Sequence, residues 1–211
     1  MKYSWLNRKQ NDKLIIFFNG WGMDEKSVSR LGCGDFDVIS FHDYRNLEAE
    51  WPELGTYKSK FLAAWSMGVF VASLFRERLE DTCVKIALNG TQKPVDDEFG
   101  IPSAVYDLTV KNFNELSCKK FVKRMFAGDV LPVLSGRTPE ELRQELISIR
   151  DYSGAGYLPF DKVFISESDK IVPPKNQLGF WQASGCVSVK NLQGGHYPFV
   201  NFKKWDDILN G

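Results

Sequence analysis

Ser66 stands at a position where a serine could act as a nucleophile. It lies in Ala64-Trp65-Ser66-Met67-Gly68, after a short apolar strand pattern over 60–65 and before an apolar helical pattern over 67–79. The nucleophile elbow, G-x-S-x-G, places its serine at this kind of strand-to-helix corner, where small residues let the strand and the helix pass closely. Ala64 replaces the first glycine, and an ordinary helix N-cap is the alternative for the serine.

A serine nucleophile needs a base to take its proton and an acid to orient that base. The chain has two histidines. His196 follows two glycines in a loop after the last predicted strand, whereas His42 is typical of a half-buried loop histidine. Asp169 comes just after the strand pattern 162–166 and falls between Ser66 and His196 in chain order, as the α/β-hydrolase arrangement requires. Glu167 is the competing acid, and a solvated turn is the alternative for Asp169.

Ester hydrolysis also requires hydrogen-bond donors for the oxyanion that forms during the reaction. The backbone N–H of Met67, directly after the proposed nucleophile, is the first candidate. The second is the N–H of Trp21 in Asn19-Gly20-Trp21-Gly22, where glycines allow the backbone to approach a substrate closely. The alternative is a plain glycine turn capped by Asp24.

About seven short, continuously apolar segments predict the strands that would position these residues. They lie near 3–7, 12–20, 36–41, 60–65, 84–90, 162–166 and 186–189. Helical patterns near 24–31, 67–79 and 174–183 alternate with them, which indicates a mostly parallel α/β sheet covered on both faces. Ligands of such sheets gather at the carboxyl ends of the strands.

Residues 92–158 interrupt this alternation with three helical patterns and no convincing strand. We therefore predict a core of residues 1–91 and 159–211, with 92–158 inserted as a helical lid over one end of the sheet.

Composition narrows the classes of function. The 211 residues carry a formal net charge of zero and are 43% hydrophobic, which suits one globular domain and gives no overall field that would attract nucleic acid. No metal site or other cofactor is expected, because four dispersed cysteines and two histidines show no metal-ligand spacing. No signal-peptide pattern and no membrane-length apolar run occur, so a cytoplasmic protein with free thiols is expected.

Taken together, several short motifs resemble one family. They are Phe17-Phe18-Asn19-Gly20-Trp21-Gly22-Met23-Asp24, Ala64-Trp65-Ser66-Met67-Gly68, Asn89-Gly90-Thr91 with Pro94, Gly100-Ile101-Pro102, and Gly195-His196-Tyr197-Pro198-Phe199. The combination spans nearly the whole chain and resembles the BioG-type pimeloyl-[acyl-carrier protein] methyl ester esterases of bacterial biotin synthesis. Asn19 in place of the histidine of an HG loop, and Ala64 in place of the first elbow glycine, both fit that pattern.

The resemblance implies an α/β-hydrolase fold with a helical lid and a defined reaction. The enzyme would hydrolyse the methyl ester at the far end of a pimeloyl chain on its carrier protein, with Ser66 as nucleophile, His196 as base and Asp169 as orienting acid. Trp21 and Met67 would form the oxyanion hole.

The segment 118–126 suggests how a carrier protein could bind. On a helix, Cys118, Phe121, Val122 and Met125 share one face and Lys119, Lys120, Lys123 and Arg124 share the other. Acyl-carrier proteins are acidic, so this basic face could attract one. A solvated polar helix face is the equally weighted alternative. Aromatic and apolar residues that could line an acyl channel, or simply form core, are Phe113, Phe121, Met125, Phe126 and Tyr152.

Other functions remain open at this point. A small-ester carboxylesterase or a thioesterase would use the same triad, and a non-catalytic binding module could keep the fold without the chemistry. Oligomeric state does not follow from the sequence.

Overall fold

The computed structural model describes residues 1–125, 135–153, 156–185 and 188–211. Its centre is a seven-stranded sheet in the order β1-β3-β2-β4-β5-β6-β7. The strands are β1 (Lys2–Asn7), β2 (Lys13–Phe18), β3 (Phe36–His42), β4 (Ser59–Trp65), β5 (Val84–Leu88), β6 (Lys162–Ser166) and β7 (Ser188–Leu192). All neighbouring pairs are parallel except β1 and β3, which are antiparallel. The mostly parallel sheet predicted from the apolar segments is confirmed.

Helices connect most of the strands. They are α1 (Met67–Leu74), α2 (Arg76–Leu79), α3 (Ser103–Lys111), α4 (Glu115–Met125), α5 (Pro139–Asp151), α6 (Pro174–Ala183) and α7 (Trp205–Asn210), with 3₁₀ turns at Glu25–Val28 and Pro198–Asn201. The central strands are buried on both faces, because side chains from both layers pack against them. The three helical patterns predicted between β5 and β6 are present as α3, α4 and α5.

Two local expectations need correction, and a third falls partly outside the described residues. The segment 24–31 forms a single 3₁₀ turn, with the Asp24 side chain accepting from the N–H of Lys26, instead of an α-helix. The helical pattern 67–79 is broken at Phe75, whose φ of −108° and ψ of 22° depart from helical geometry. The strand expected over 186–189 is described from Ser188, since residues 186–187 lie outside the described residues.

The sheet order places the carboxyl ends of β2, β4, β5 and β6 side by side. The loops that follow β2, β4 and β6 carry the predicted site residues Trp21, Ser66 and Asp169, and the loop after β5 begins with Asn89. Parallel pairing therefore gathers the predicted site residues at one edge, as expected for an α/β sheet.

No helix in the described ranges is both long and apolar enough to cross a membrane. Cys33, Cys83 and Cys118 are free thiols, and Cys186 falls outside the described residues.

Candidate active site

Ser66, His196 and Asp169 form a continuous hydrogen-bonded chain. The Oγ of Ser66 lies 2.8 Å from Nε2 of His196, and Nδ1 of His196 lies 2.8 Å from Oδ2 of Asp169. All three side chains are buried. Because a carboxylate only accepts hydrogen bonds, Nδ1 carries the hydrogen that faces Asp169 and Nε2 is left free to accept the Ser66 proton. This arrangement is the one needed to activate a serine.

The backbone at Ser66 is held in a rarely populated conformation. Its φ of 55° and ψ of −125° place a non-glycine residue in a strained region. A Cβ on Gly68 would lie 2.4 Å from the carbonyl oxygens of Phe18 and Asn19, and one on Gly90 would lie 2.3 Å from the oxygen of Ser66. Neighbouring backbone segments therefore pass so closely that only glycine fits at these two positions. The structure thus has the sharp turn expected of a nucleophile elbow.

Backbone and side-chain donors surround the carboxylate of Asp169. Its Oδ1 accepts from the N–H groups of Ile171 (2.8 Å) and Val172 (3.0 Å), and its Oδ2 accepts from Nε2 of Gln177 at 2.9 Å. Gln177 is fully buried and belongs to α6. These donors fix the carboxylate against the imidazole, in the orienting position expected for Asp169.

Gln177 was not predicted from the sequence as a site residue. Its signal is a polar residue on the same helical face as buried Phe180 and Trp181. Such a residue needs a polar partner inside the protein, which here is Asp169.

The backbone of the His196 loop is tied to two neighbouring strands. The carbonyl oxygen of His196 accepts from Nε1 of Trp65 and from Nδ2 of Asn89, both at 3.0 Å. Asn89 also accepts from the N–H of Ser166 at 2.7 Å. Asn89 therefore joins the ends of β5 and β6 to the loop that carries the histidine, a role that its family motif alone did not reveal.

Neither competing residue joins the chain of hydrogen bonds. Glu167 is exposed, and its Oε2 accepts from Nε2 of Gln193. His42 ends β3, where it pairs with Lys2 of the edge strand, and β2 separates β3 from the strand that leads to Ser66. Burial lowers the pKa of His42, which favours its neutral form. The geometry therefore favours Asp169 over Glu167 and His196 over His42.

The two predicted oxyanion donors lie next to the elbow. The 19–22 loop approaches the start of α1 so closely that a Cβ on Gly68 would collide with the carbonyl oxygen of Asn19. Within the described part of the chain, the N–H groups of Trp21 and Met67 donate to no protein acceptor. Such N–H groups are available for a ligand oxygen.

Comparison with known proteins assigns the family. The family model described as "Pimeloyl-ACP methyl esterase BioG" matches residues 1–208, nearly the whole chain. The chain belongs to the BioG family of pimeloyl-ACP methyl esterases. The resemblance inferred from the motifs is therefore confirmed.

Solved structures agree with membership of the BioG family. The crystal structure of BioG from Haemophilus influenzae matches with a TM-score of 0.86 and 31% identity, covering 99% of both chains. A putative aryl esterase from Burkholderia cenocepacia matches with a TM-score of 0.63 and 14% identity, covering 94% of this chain and 88% of the esterase. At that identity, the second likeness shows the fold alone. The α/β-hydrolase fold is confirmed.

One relative is a longer protein, part of which is similar to this chain. A "Malonyl-[acyl-carrier protein] O-methyltransferase" from Bacteroides fragilis is 39% identical over 195 residues, which is 87% of this chain. The chain spans only 39% of the length of that relative. The name of the longer protein therefore gives no activity for this chain.

Two spaces meet beside Ser66 in this member of the BioG family. The larger is mostly apolar and has Trp21, Met67, Tyr106, Phe121 and Leu146 in its walls, with Arg124 and Lys170 also bordering it. The smaller is lined by Ser66, Met67, Gly90, Thr91, Pro94, Gly100, Ile101 and Val172. Met67 and Ile101 border both spaces, so they adjoin at the elbow.

Of the residues considered for an acyl channel, Phe121 lines the larger space. Phe113 packs edge-on against Trp21, Met125 is buried in the core, and Tyr152 donates to the carbonyl oxygen of Tyr44. None of these three lines the larger space. Phe126 lies outside the described residues.

The basic face predicted on α4 is exposed. Lys119, Lys120, Lys123 and Arg124 face solvent, whereas Phe121 and Met125 face the protein. Glu115, in the first turn, is the single acidic residue of α4. A basic surface therefore lies directly beside the larger cavity, since Arg124 belongs to both.

Proposed function

We propose that this chain hydrolyses the methyl ester of a pimeloyl chain carried by an acyl-carrier protein, with Ser66 as nucleophile, His196 as general base and Asp169 as the acid that orients it. The observation that carries the proposal is the unbroken Ser66–His196–Asp169 chain, with 2.8 Å at each step. Membership of the BioG family supplies the substrate class.

The first half of the reaction forms an acyl-enzyme. Oγ of Ser66 attacks the ester carbonyl carbon while Nε2 of His196 takes the serine proton. The carbonyl oxygen becomes an oxyanion and accepts hydrogen bonds from the N–H groups of Trp21 and Met67, each worth about 2.7–4 kcal/mol in comparable enzymes. The carbon–methoxy bond then breaks, and His196 returns the proton to the leaving oxygen so that methanol departs.

Water completes the reaction. His196 removes a proton from a water molecule, which attacks the acyl-enzyme, and the second tetrahedral intermediate collapses to release Ser66 and a free carboxyl group. Asp169 keeps Nδ1 protonated and stabilises the imidazolium in both halves. No cofactor is needed for these steps.

The two spaces at the elbow suit the two sides of this ester. The larger apolar space would take the pimeloyl chain, with Arg124 and Lys170 beside it, and the smaller would take the methoxy group. In this proposal, 92–158 acts as the lid that forms the outer wall of the acyl space, since α3, α4 and α5 contribute Tyr106, Phe121 and Leu146.

The direct test separates the methyl ester from the thioester that joins the acyl chain to the carrier. Purified protein incubated with a carrier-linked pimeloyl methyl ester should yield carrier-linked pimelate and methanol, with the thioester intact, as measured by intact-protein mass spectrometry. Release of unacylated carrier protein would instead identify a thioesterase. Turnover of small chromogenic esters without any turnover of the carrier substrate would identify a small-ester carboxylesterase.

We further propose that the basic face of α4 attracts the acidic carrier. Changing both Lys119 and Lys123 to Glu reverses two exposed charges away from the triad, so folding should change by less than about 0.5 kcal/mol per site. The kcat/KM for the carrier substrate should fall, mainly through slower association, and the wild-type value should weaken with added salt. Steady-state kinetics at several salt concentrations measure both effects.

A small chromogenic ester is the control for this double variant, because it does not require docking and its hydrolysis should be unchanged. The matched control protein carries Lys203→Glu and Lys204→Glu, two exposed lysines outside the lid. If both substrates lose activity together, α4 has a structural role. If neither does, the carrier docks elsewhere.

A further inference from the structure

Glu145 is an acidic residue buried where α5 meets the 19–22 loop. Its side chain is fully inaccessible, although α5 also carries exposed acids such as Glu140. Oε2 accepts from the N–H of Gly22 at 3.1 Å, and Oε1 accepts from the N–H of Tyr44 at 2.7 Å. The carboxylate thus binds the loops that follow β2 and β3, each through a separate oxygen.

One basic residue accompanies this carboxylate. Nη2 of Arg137 lies 3.0 Å from Oε2 of Glu145, and Nη1 lies 3.2 Å from Oδ1 of buried Asp43. Both contacts are close enough for ion pairing but lack the alignment of hydrogen bonds. Burial raises the pKa of Glu145, and Arg137 together with the two backbone donors opposes that rise.

The bond to Gly22 acts next to a proposed oxyanion donor. The N–H of Trp21 belongs to the peptide group between Gly20 and Trp21. The oxygen of that peptide group, on Gly20, accepts from the N–H of Met23 at 3.3 Å. The following peptide ends in the Gly22 N–H that Glu145 binds. The Trp21 indole also donates to the oxygen of Leu142, three residues before Glu145 on α5, at 2.8 Å. Glu145 therefore restricts the rotation of the backbone on the far side of Trp21.

A second path reaches the same loop through Tyr44. The N–H of Tyr44 donates to Glu145. The hydroxyl of Tyr44 donates to the carbonyl oxygen of Asn19, at the start of the loop, at 2.8 Å. Burial raises the pKa of Tyr44 well above its usual value, so the hydroxyl keeps the proton that it donates.

We propose that Glu145 is a positioning residue, which holds the 19–22 loop so that the N–H of Trp21 points at the oxyanion formed at Ser66. This inference rests on the proposed function. Its consequence is specific: loss of the carboxylate should weaken binding of the transition state more than binding of the substrate or product.

The test compares Glu145→Gln with wild type. Glutamine keeps the size but replaces one acceptor oxygen by an NH₂ donor, so one of the two backbone N–H groups loses its partner. On a small ester, kcat should fall by about 10–100-fold, the loss expected from a misplaced oxyanion donor. The inhibition constant of an acyl trifluoromethyl ketone, which adds to the serine as a tetrahedral oxyanion, should weaken by a similar factor. KM and the affinity for the product acid should stay within about twofold.

The matched control is Ile149→Ala, one helical turn further along α5. Ile149 is fully buried in the core but lines neither cavity. This variant should lower the melting temperature while leaving kcat and ketone binding at wild-type values. If it loses kcat as Glu145→Gln does, or if Glu145→Gln binds the ketone as wild type does, the positioning role is overturned.

A second variant covers the case in which Glu145→Gln does not fold. Changing both Glu145 and Arg137 to Met removes both charges of the pair together, and Asp43, the other partner of Arg137, keeps its ion pair with Arg45. The double variant still removes both acceptors from the loops. The folded double variant should show the same selective loss of ketone binding, and wild-type binding would contradict the proposal. Failure of the proposed function is distinguishable, because it would appear as persistent activity in a Ser66→Ala variant whatever Glu145 does.

Discussion

Ser66→Ala should lower kcat by about 10⁴–10⁶ and leave the fold intact, because the members of a triad act as a unit and the nucleophile has no substitute. The change removes one hydroxyl from the His196 side of the elbow. Alanine keeps a Cβ, so the strain at a φ of 55° is the same as for serine. Steady-state hydrolysis of the carrier substrate, with circular dichroism of the same preparation, measures both expectations.

A fluorophosphonate probe provides an independent control for this variant. Wild-type protein should be labelled covalently at Ser66, and the alanine variant should not be labelled. Ser73→Ala is the matched control variant, because Ser73 is also a buried serine and its hydroxyl donates to the carbonyl oxygen of Phe70 in α1. If Ser66→Ala keeps more than about a tenth of wild-type activity, another residue is the nucleophile; if wild type is not labelled, a non-catalytic binding module is favoured.

The sequence predicts the parts of this molecule that depend on local patterns. Apolar runs such as 14–18 and 86–88 identify central strands, since a strand covered on both faces is apolar at successive positions. The elbow is visible because its close packing restricts positions such as Gly68 to glycine. Chain order and strand ends made Asp169 and His196 candidates but left Glu167 open, and only the structure shows which acid lies against the imidazole of His196.

Features that depend on distant partners could not be predicted in the same way. Glu145 shares a helical face with Leu142 and Ile149, so the spacing can indicate its burial, but it cannot indicate which groups the carboxylate binds. Its donors on Gly22 and Tyr44 lie more than a hundred residues away in the chain. The antiparallel pairing of β1 with β3 could not be predicted for the same reason, because β1 pairs with a strand about thirty-five residues further along the chain.

The helices between β5 and β6 contact the candidate site in two places. α3, α4 and α5 supply walls of the larger cavity, which is the proposed site of the acyl chain. α5 also contacts, through Leu142 and Glu145, the 19–22 loop that carries a proposed oxyanion donor. A substitution in this segment can therefore alter substrate choice, chemistry or both, and the carrier substrate must be compared with a small ester to separate them.

The two histidines provide the second large effect and its own control. His196→Ala should cost about as much activity as Ser66→Ala, because it removes the base, whereas His42→Ala should leave kcat nearly unchanged. The His196 loop should persist without the imidazole, since the backbone carbonyl oxygen of residue 196 accepts hydrogen bonds from the side chains of Trp65 and Asn89. Kinetics and thermal unfolding of both variants separate lost chemistry from lost structure. Equal losses of kcat in two folded variants would show that His196 is not the unique base, and the proposed mechanism would have to be replaced.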